Sequence, residues 1–413
     1  MILFIFLIQL SLITCDLQIN ETASKIKYLL NKYKSYRQSR CVDSSKENLK
    51  LEKFAVNTLN FLEKTERFGE FLKYYNVSDC HVSENRNSIY NFQHIVDGLL
   101  INSDVPDTHW DEYKTAYNKM YSSTHHEKSA LSIWRINLQR VAEHNQQYLA
   151  GEKSYSLHLN HFGDWPIVAY IRQLLKLIKT IPLFDPAEDR ERTAYHENKY
   201  RTIPNRFDWR AQGFNPRREE QWHCGACYAF AVTHALQAQL YKKHGDWGEL
   251  SPQQIVDCSW KDGNLGCDGG SLQAAMKYAA RDGLMMETYY PYLGKRDRCH
   301  YKRQAIRARA RRWATLPKGD ENAIETALAT IGPLAVALNA APFTFQLYRG
   351  GVYDDPLCVP WNLNHAMLLV GYTPEYWILL NWWGKQWGED GYMRIRRGFN
   401  ICGVANMATY VEL

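Results

Sequence analysis

Residues 221–230 read QWHCGACYAF. Two cysteines three apart, followed by an aromatic and a run of small and apolar residues, admit several chemistries. The pair can bind zinc, shuttle electrons, supply half of a disulfide framework, or contain a nucleophile. The other cysteines narrow the choice. All ten are Cys15, Cys41, Cys80, Cys224, Cys227, Cys258, Cys267, Cys299, Cys358 and Cys402. Zinc would need four ligands in two short pairs. Cys224 and Cys227 make one such pair, but Cys258 and Cys267 stand nine apart across a glycine-rich loop, so no metal or cofactor is expected.

The opening MILFIFLIQLSLITC is apolar for about fourteen positions and ends at a short polar break. That suits a signal-peptide core and is too short for a membrane span, which needs roughly 18 apolar residues. No later run reaches that length; LLKLIKTIPLF, at 174–184, is interrupted by lysines and a proline. The reading is a product of the secretory pathway, lysosomal or extracellular, without a transmembrane segment. This route permits disulfides and makes Asn20 (N-E-T) and Asn76 (N-V-S) candidate glycan acceptors. With Cys15 at the expected cleavage site, nine cysteines remain, and an odd count leaves one free thiol. Cys41 and Cys80 stand alone in the N-terminal region and are expected to pair. Seven then lie between 224 and 402, enough for three bridges and one free thiol.

The 413 residues, 45% hydrophobic and 13% aromatic, can build sizeable cores in two or three units. A net charge of +6 over this length favours no particular partner, and nucleic acid is not expected. Residues 1–15 are assigned to the signal peptide. Residues 16–105 are assigned to a helical extension of unknown role: Ile26, Leu29, Leu30 and Tyr33 share one helical face, and no chemical motif appears. A second helical pattern runs through ALSIWRINLQRVAEHNQQY (130–148), and SLHLNHFGDW (156–165) alternates like a strand closed by a turn. Residues 166–200, charged and broken by Pro166, Pro182 and Pro186, read as a linker. From about 203 glycine and tryptophan become frequent, which marks the compact functional domain.

A thiol with its ordinary pKa of about 8.5 is mostly protonated at neutral pH. To attack a carbonyl it needs a helix N-terminus, an adjacent imidazole, or both. Cys227 precedes YAFAVTHALQAQLYKKHG, a helical pattern stopped by Gly245, so the helix dipole there favours a thiolate. Gln221, six residues earlier, has an amide able to donate to an oxyanion together with the Cys227 N–H. Downstream, His365 enters the apolar run HAMLLVGY, and Asn381 closes WILLN beside Trp382, Trp383 and Trp387. An asparagine amide oxygen can accept from an imidazole N–H and fix the ring's tautomer.

This set resembles the papain family of cysteine peptidases, in particular its cathepsin L-like branch. CGACY fits the family's local signature, with His365 and Asn381 at the expected distance downstream. The resemblance covers about 107–413. It implies an α+β, papain-like two-lobed fold, a helical lobe beside a β-barrel-like lobe, at 203–413. It also implies a mainly helical inhibitory propeptide with its linker at 106–202. Cys227 is then the nucleophile, His365 the base and later acid, Asn381 the orienting group and Gln221 the oxyanion donor, with Trp383 covering the His–Asn bond. The family's bridges imply Cys224–Cys267, Cys258–Cys299 and Cys358–Cys402. GCDGG matches the loop whose Gly269 and Gly270 meet substrate backbone. Trp134, Asn137, Val141 and Asn145, then Asn160, Phe162 and Asp164, match the propeptide motifs. IPNRFDWR resembles a mature N-terminus, which places processing near 200–204.

The chain departs from the pattern at Trp222, Tyr228 and Trp382, where the family usually has glycine, tryptophan and serine, and in the propeptide at His126, Ala130 and His158. Bulk at Trp222 and Trp382 is expected to narrow the cleft or weaken oxyanion binding. By position, Leu272, Ala337, Leu363, Ala366 and Met407 line the pocket for the second residue before the cut, which implies a preference for Leu, Phe or Val. The resemblance also makes acid-triggered propeptide release an expectation, with His125, His126, His158 and His161 as candidate sensors. Arginines alternate from Arg303 to Arg312 like a strand with one basic face, a candidate contact for anionic glycans or for the propeptide. Two functions remain: a secreted or lysosomal cysteine endopeptidase made as a zymogen and acting on protein and peptide substrates, or a catalytically silent homologue that binds through its cleft.

Overall fold

Trp134 follows Ala130 and precedes Asn137 and Val141 at helical steps, and these residues form the buried face of a long helix. The computed structural model describes residues 107–178, 202–246 and 248–413. The expected signal peptide, the extension to residue 105, the Cys41–Cys80 bridge and the sequons at Asn20 and Asn76 lie outside them. Helix α1 is Asp107–Ala116 and α2 is Thr124–Leu149. Ser123 caps α2 by accepting from the His126 N–H. The two helices meet through Trp110 and Trp134, whose rings lie 5.6 Å apart. Asp164 ties the turn that follows: it accepts from Tyr113 and Tyr121 and pairs with Lys119 at 2.6 Å.

Strand β1 is only Tyr155–Leu157. The Asn145 amide grips Leu157 at both N–H and C=O, and Asn160 then turns the chain by accepting from Phe162. The alternation beyond Leu157 therefore belongs to the turn. Residues 166–200 were expected to form a linker, but their first part is ordered. Pro166, at φ −64°, starts helix α3, Ile167–Leu174, because a proline is compatible with a helix start. Tyr170 and Leu174 are buried.

The central helix α4, Cys227–His244, is buried on every side from Cys227 to Leu240, including the polar Thr233, His234, Gln237 and Gln239. It ends at Gly245, left-handed at φ 71°. Helices α5, Pro252–Cys258, and α6, Leu272–Arg281, pack on it. Opposite lies a sheet built from β2 (Phe207–Asp208), β5 (Arg312–Thr315), β6 (Leu334–Leu338), β7 (Tyr348–Tyr353), β8 (His365–Tyr372), β9 (Tyr376–Leu380), β10 (Tyr392–Arg396) and β11 (Ala408–Glu412). The order is β1-β7-β10-β9-β8-β6-β11-β5, with β2 beside β8. Strand β1, from the N-terminal helical module, thus extends this sheet at β7. A small separate pair joins β3 (Leu284–Met285) and β4 (Ile306–Ala308). Disulfides link Cys224–Cys267, Cys258–Cys299 and Cys358–Cys402, and Cys227 is the free cysteine among the described residues.

Candidate active site

Cys227 is the first residue of α4, and the residue capping that helix, Ala226, offers no side-chain acceptor. The first N–H groups of the helix are therefore left for another acceptor, here the sulfur. Burial pushes the Cys227 thiol up to about 12, and the N–H groups of Ala366, Tyr228 and Cys227 itself oppose the shift. Ala366 follows His365, so the sulfur lies at the start of β8.

The β8–β9 pairing brings the distant polar residues together. Leu368 stands opposite Leu380 in antiparallel register; continued three residues, that register sets His365 opposite Trp383. The rings stack at 4.8 Å. His365 Nε2–H donates to Asn381 Oδ1 at 2.8 Å, and the Trp382 N–H donates to the same oxygen at 2.9 Å. Two donors on one oxygen set the amide's orientation and leave Nδ1 of the imidazole with the lone pair. Nδ1 is buried without a hydrogen-bond partner. Burial pulls His365 down to about 4, against the opposing bond to Asn381. Burial thus disfavours the charged form of both the thiol and the imidazole.

Gln221 is fully buried. Its Oε1 accepts from Trp383 Nε1 at 3.1 Å. Its Nε2 donates to the carbonyls of Cys224, 2.8 Å, and Leu174, 3.3 Å. Leu174 ends α3, so the segment before the peptidase domain presents a carbonyl to this amide. The chain then runs on through the site. Leu177 N–H donates to the Asn364 carbonyl, Ile178 N–H donates to the Gly270 carbonyl at 2.8 Å, and the bridge of Leu177 to Gly270 is parallel. Gly270 must be glycine because an added Cβ would lie 2.6 Å from the Tyr228 ring. Upstream, Phe162 and Tyr170 pack edge-on against Trp383, and Trp165 stacks on His223.

Three of the apolar residues expected to form one pocket are neighbours in the sheet. Ala337 and Ala366 are register partners, and Ala337 N–H donates to the Met407 carbonyl. Leu272 follows Gly270 and Ser271, and Leu363 precedes β8 by two residues. All but the half-buried Met407 are buried.

The two bulky departures sit differently from expectation. Trp382 does not line the cleft: it is fully buried, stacked on Phe230 and packed on His234, with its indole N–H on the Ala366 carbonyl. Trp222 takes the left-handed backbone, φ 49°, where glycine is easiest. Its ring leans on Tyr292 and covers Gly294, and it is 52% exposed. The Gln221 amide keeps its bonds beside it. Sequence reading missed the contacts of Leu174, Lys176, Leu177 and Asn364, because nothing local marks a segment that crosses a cleft. Among the described residues, no group of three or more His, Cys, Asp or Glu side chains is arranged to hold a metal.

A free cysteine at a helix start, a histidine–asparagine pair under a tryptophan, and an N-terminal module threaded through the cleft define a thiol peptidase in its precursor form. Residues 203–412 match the model of the papain family cysteine proteases, and residues 110–166 match the cathepsin propeptide inhibitor domain. The chain belongs to the papain family and is a cysteine endopeptidase with a cathepsin-type propeptide. It is 36% identical to cathepsin L of Sarcophaga peregrina over 326 residues, 74% of this chain and 93% of that one. It is 35% identical to cathepsin K of Mus musculus over 325 residues, 77% of this chain and 97% of the other. Among solved structures, digestive procathepsin L 3 of Tenebrio molitor larval midgut superposes with a TM-score of 0.68 at 34% identity, covering 74% of this chain and 99% of that chain.

Proposed function

We propose that Cys227, His365, Asn381 and Gln221 form the catalytic set and that removal of the propeptide switches it on. In the open cleft, water replaces the propeptide around the thiol and imidazole. The Cys227 proton passes to His365 Nδ1, the lone pair left free by the Nε2–H bond to Asn381. The thiolate attacks the substrate carbonyl, and the oxyanion accepts from the Gln221 amide and the Cys227 N–H. His365 then protonates the leaving amine, and water attacks the acyl-enzyme with His365 as base. The His365–Asn381 bond of 2.8 Å beneath Trp383 is the observation that carries this reading. The inward packing of Trp382 removes one of the two sequence features behind a silent homologue, and no observation favours that alternative.

Leu272, Ala337, Leu363, Ala366 and Met407 are proposed as the pocket for the second residue before the cut. An apolar wall there loses a charged occupant's hydration without replacing it. Acid-processed protein should cleave substrates with Leu, Phe or Val at that position at least about tenfold better than Arg, in kcat/KM. Equal values would refute the pocket assignment.

Acid release of the propeptide is supported by two histidines. His158 faces Arg349 and the Gln386 carbonyl, and His161 faces Lys119 and His158. Burial pulls both down, His161 to about 3. The released chain, with ordinary histidines, binds more protons than the docked one, so docking weakens as pH falls below about 6.5 toward the docked values. Autoprocessing of the His158→Gln, His161→Gln double variant should therefore require a more acidic pH. An unchanged pH profile would rule these histidines out as sensors.

The secretory assignment is retained as part of this proposal. So is an anionic-glycan contact: Arg307, Arg309 and Arg311 are exposed while Ala308 and Ala310 between them are buried. Neutralising the three arginines should abolish retention on heparin at physiological salt; full retention would exclude the patch.

A further inference from the structure

The stretch that carries Gln221 also carries a buried carboxyl group that the proposed chemistry leaves unused. Glu220 bridges antiparallel to Trp383, the Gly384 N–H donates to the Glu219 carbonyl at 3.0 Å, and the Gln221 N–H donates to the Trp382 carbonyl at 2.9 Å. Gln221 is thus held in register with the turn that presents Asn381 to His365. The Glu219 side chain is 6% exposed, and its Oε1 stands 3.9 Å from His234 Nε2 on helix α4. His234 is buried, and its ring packs on Trp382 at 4.6 Å. Its Nδ1 lies 3.0 Å from the Phe230 carbonyl. A carbonyl only accepts, so Nδ1 carries the hydrogen and Nε2 the lone pair. Nε2 is buried without a hydrogen-bond partner. A carboxyl oxygen and a nitrogen lone pair therefore face each other away from water, where two acceptors are costly unless a proton lies between them.

The surrounding charges favour keeping that proton. Glu219, Glu249 and Glu287 converge on Arg217 at 3.3, 3.7 and 3.3 Å, and Arg217 is 52% exposed. One solvated cation does not balance three carboxylates, and Glu219 is the most buried of the three. Burial, then Glu287, pushes the Glu219 carboxyl up to about 8, with Arg217 opposing. Burial pulls His234 down to about 4, and Arg217 adds to this while the Phe230 carbonyl opposes it. Tyr292 also faces the cluster; burial raises it, and its hydroxyl donates to the Gln221 carbonyl at 2.9 Å.

We propose that Glu219 and His234 hold one proton between them, and that this proton keeps Gln221 and Trp382 aligned for catalysis. The inference rests on the catalytic assignment above and goes beyond it by naming Glu219 and His234 as positioning residues. Below about pH 8 the carboxyl is protonated and donates toward Nε2; as pH rises through that value the proton leaves to water. A bare carboxylate then faces the lone pair in a dry site. The parts next to it that yield are the Trp382 ring and the 219–221 stretch. Moving that stretch moves the oxyanion donor, and a misplacement of about 1 Å can cost on the order of 100-fold in rate.

The test uses the full chain, acid-processed, titrated for active sites and assayed on one peptide. The ratio of kcat at about pH 9 to kcat at about pH 6.5 is taken within each protein, so that titration of Cys227 and His365, common to all, cancels. Glu219→Gln sets an amide N–H, which does not titrate, opposite Nε2 and should raise the ratio about tenfold over wild type. Arg217→Gln removes the cation that favours the ionised carboxyl and should carry the alkaline loss to higher pH. A merely structural Glu219 would change kcat alike at both pH values, and a ratio that Glu219→Gln leaves unchanged overturns the proposal. Infrared difference spectra of the wild type between the same pH values give a second reading. A protonated-carboxyl band that disappears at the higher pH is expected; its absence overturns the proposal even where the variant does not fold. A wild type inactive at both pH values, with no titratable Cys227, would instead sink the catalytic assignment on which the inference rests.

Discussion

Replacing Cys227 with alanine is expected to lower kcat on peptide substrates by about 10⁶-fold, to the level left by binding and oxyanion contacts alone. The proposed nucleophile makes the covalent bond that divides the reaction into two easier steps, and no neighbouring group can substitute for it. Cys227 is the free cysteine among the described residues, so none of these offers a second thiol to take over. Gln221→Ala should behave differently. It removes one oxyanion donor and should cost about 10²- to 10³-fold in kcat, with the Cys227 N–H still in place. The comparison uses protein processed in trans, because the alanine variant cannot release its own propeptide. The three disulfides serve as the control for folding. Turnover by Cys227→Ala within a hundredfold of wild type would rule out the assigned nucleophile.

The second large effect concerns the precursor itself. With the propeptide docked, burial pushes the Cys227 thiol up to about 12, so little of it is thiolate at pH 7. Once the cleft opens, an imidazolium and a helix N-terminus flank the sulfur, a setting that lowers a thiol to about 3.5 to 7.5. The less basic thiolate is intrinsically slower, which returns part of the gain. The net expectation is that iodoacetamide labels Cys227 at least about a hundredfold faster after processing than before, at pH 7. In the precursor, labelling should rise steadily with pH up to about 12. In the processed enzyme it should level off by about pH 8. Equal rates in the two forms would mean that the docked propeptide does not control the thiol.

Part of the local geometry is legible in the sequence alone. The helix beginning at Cys227 is announced by its apolar steps and by Gly245, because local propensity and the stop signal act on neighbouring residues. The chemistry expected of Cys227, His365, Asn381 and Gln221 came from residue type and order. The linker expected over 166–200 begins instead with a helix, because Pro166 stands at the N-cap, where its missing N–H breaks no helical bond. The expectation that Trp382 would crowd the cleft failed for another reason. Side-chain direction at the end of β9 is set by packing against Phe230 and His234 on α4, which no local pattern announces.

The sequence by itself determined the helical start at Cys227 and, by counting, one thiol left over; the class of chemistry and the bridge pattern followed from the resemblance to the papain family. The first two depend on short spacing and counting. Only the tertiary structure decided what meets across the cleft. His365 and Asn381 are joined by the register of β8 and β9. Lys176 and Asp268, 92 residues apart, are neighbours because the propeptide is threaded between Gly225, Gly269 and Gly270. Contacts of that kind arise when surfaces distant in the chain pack together, and their partners carry no mark of one another along the chain.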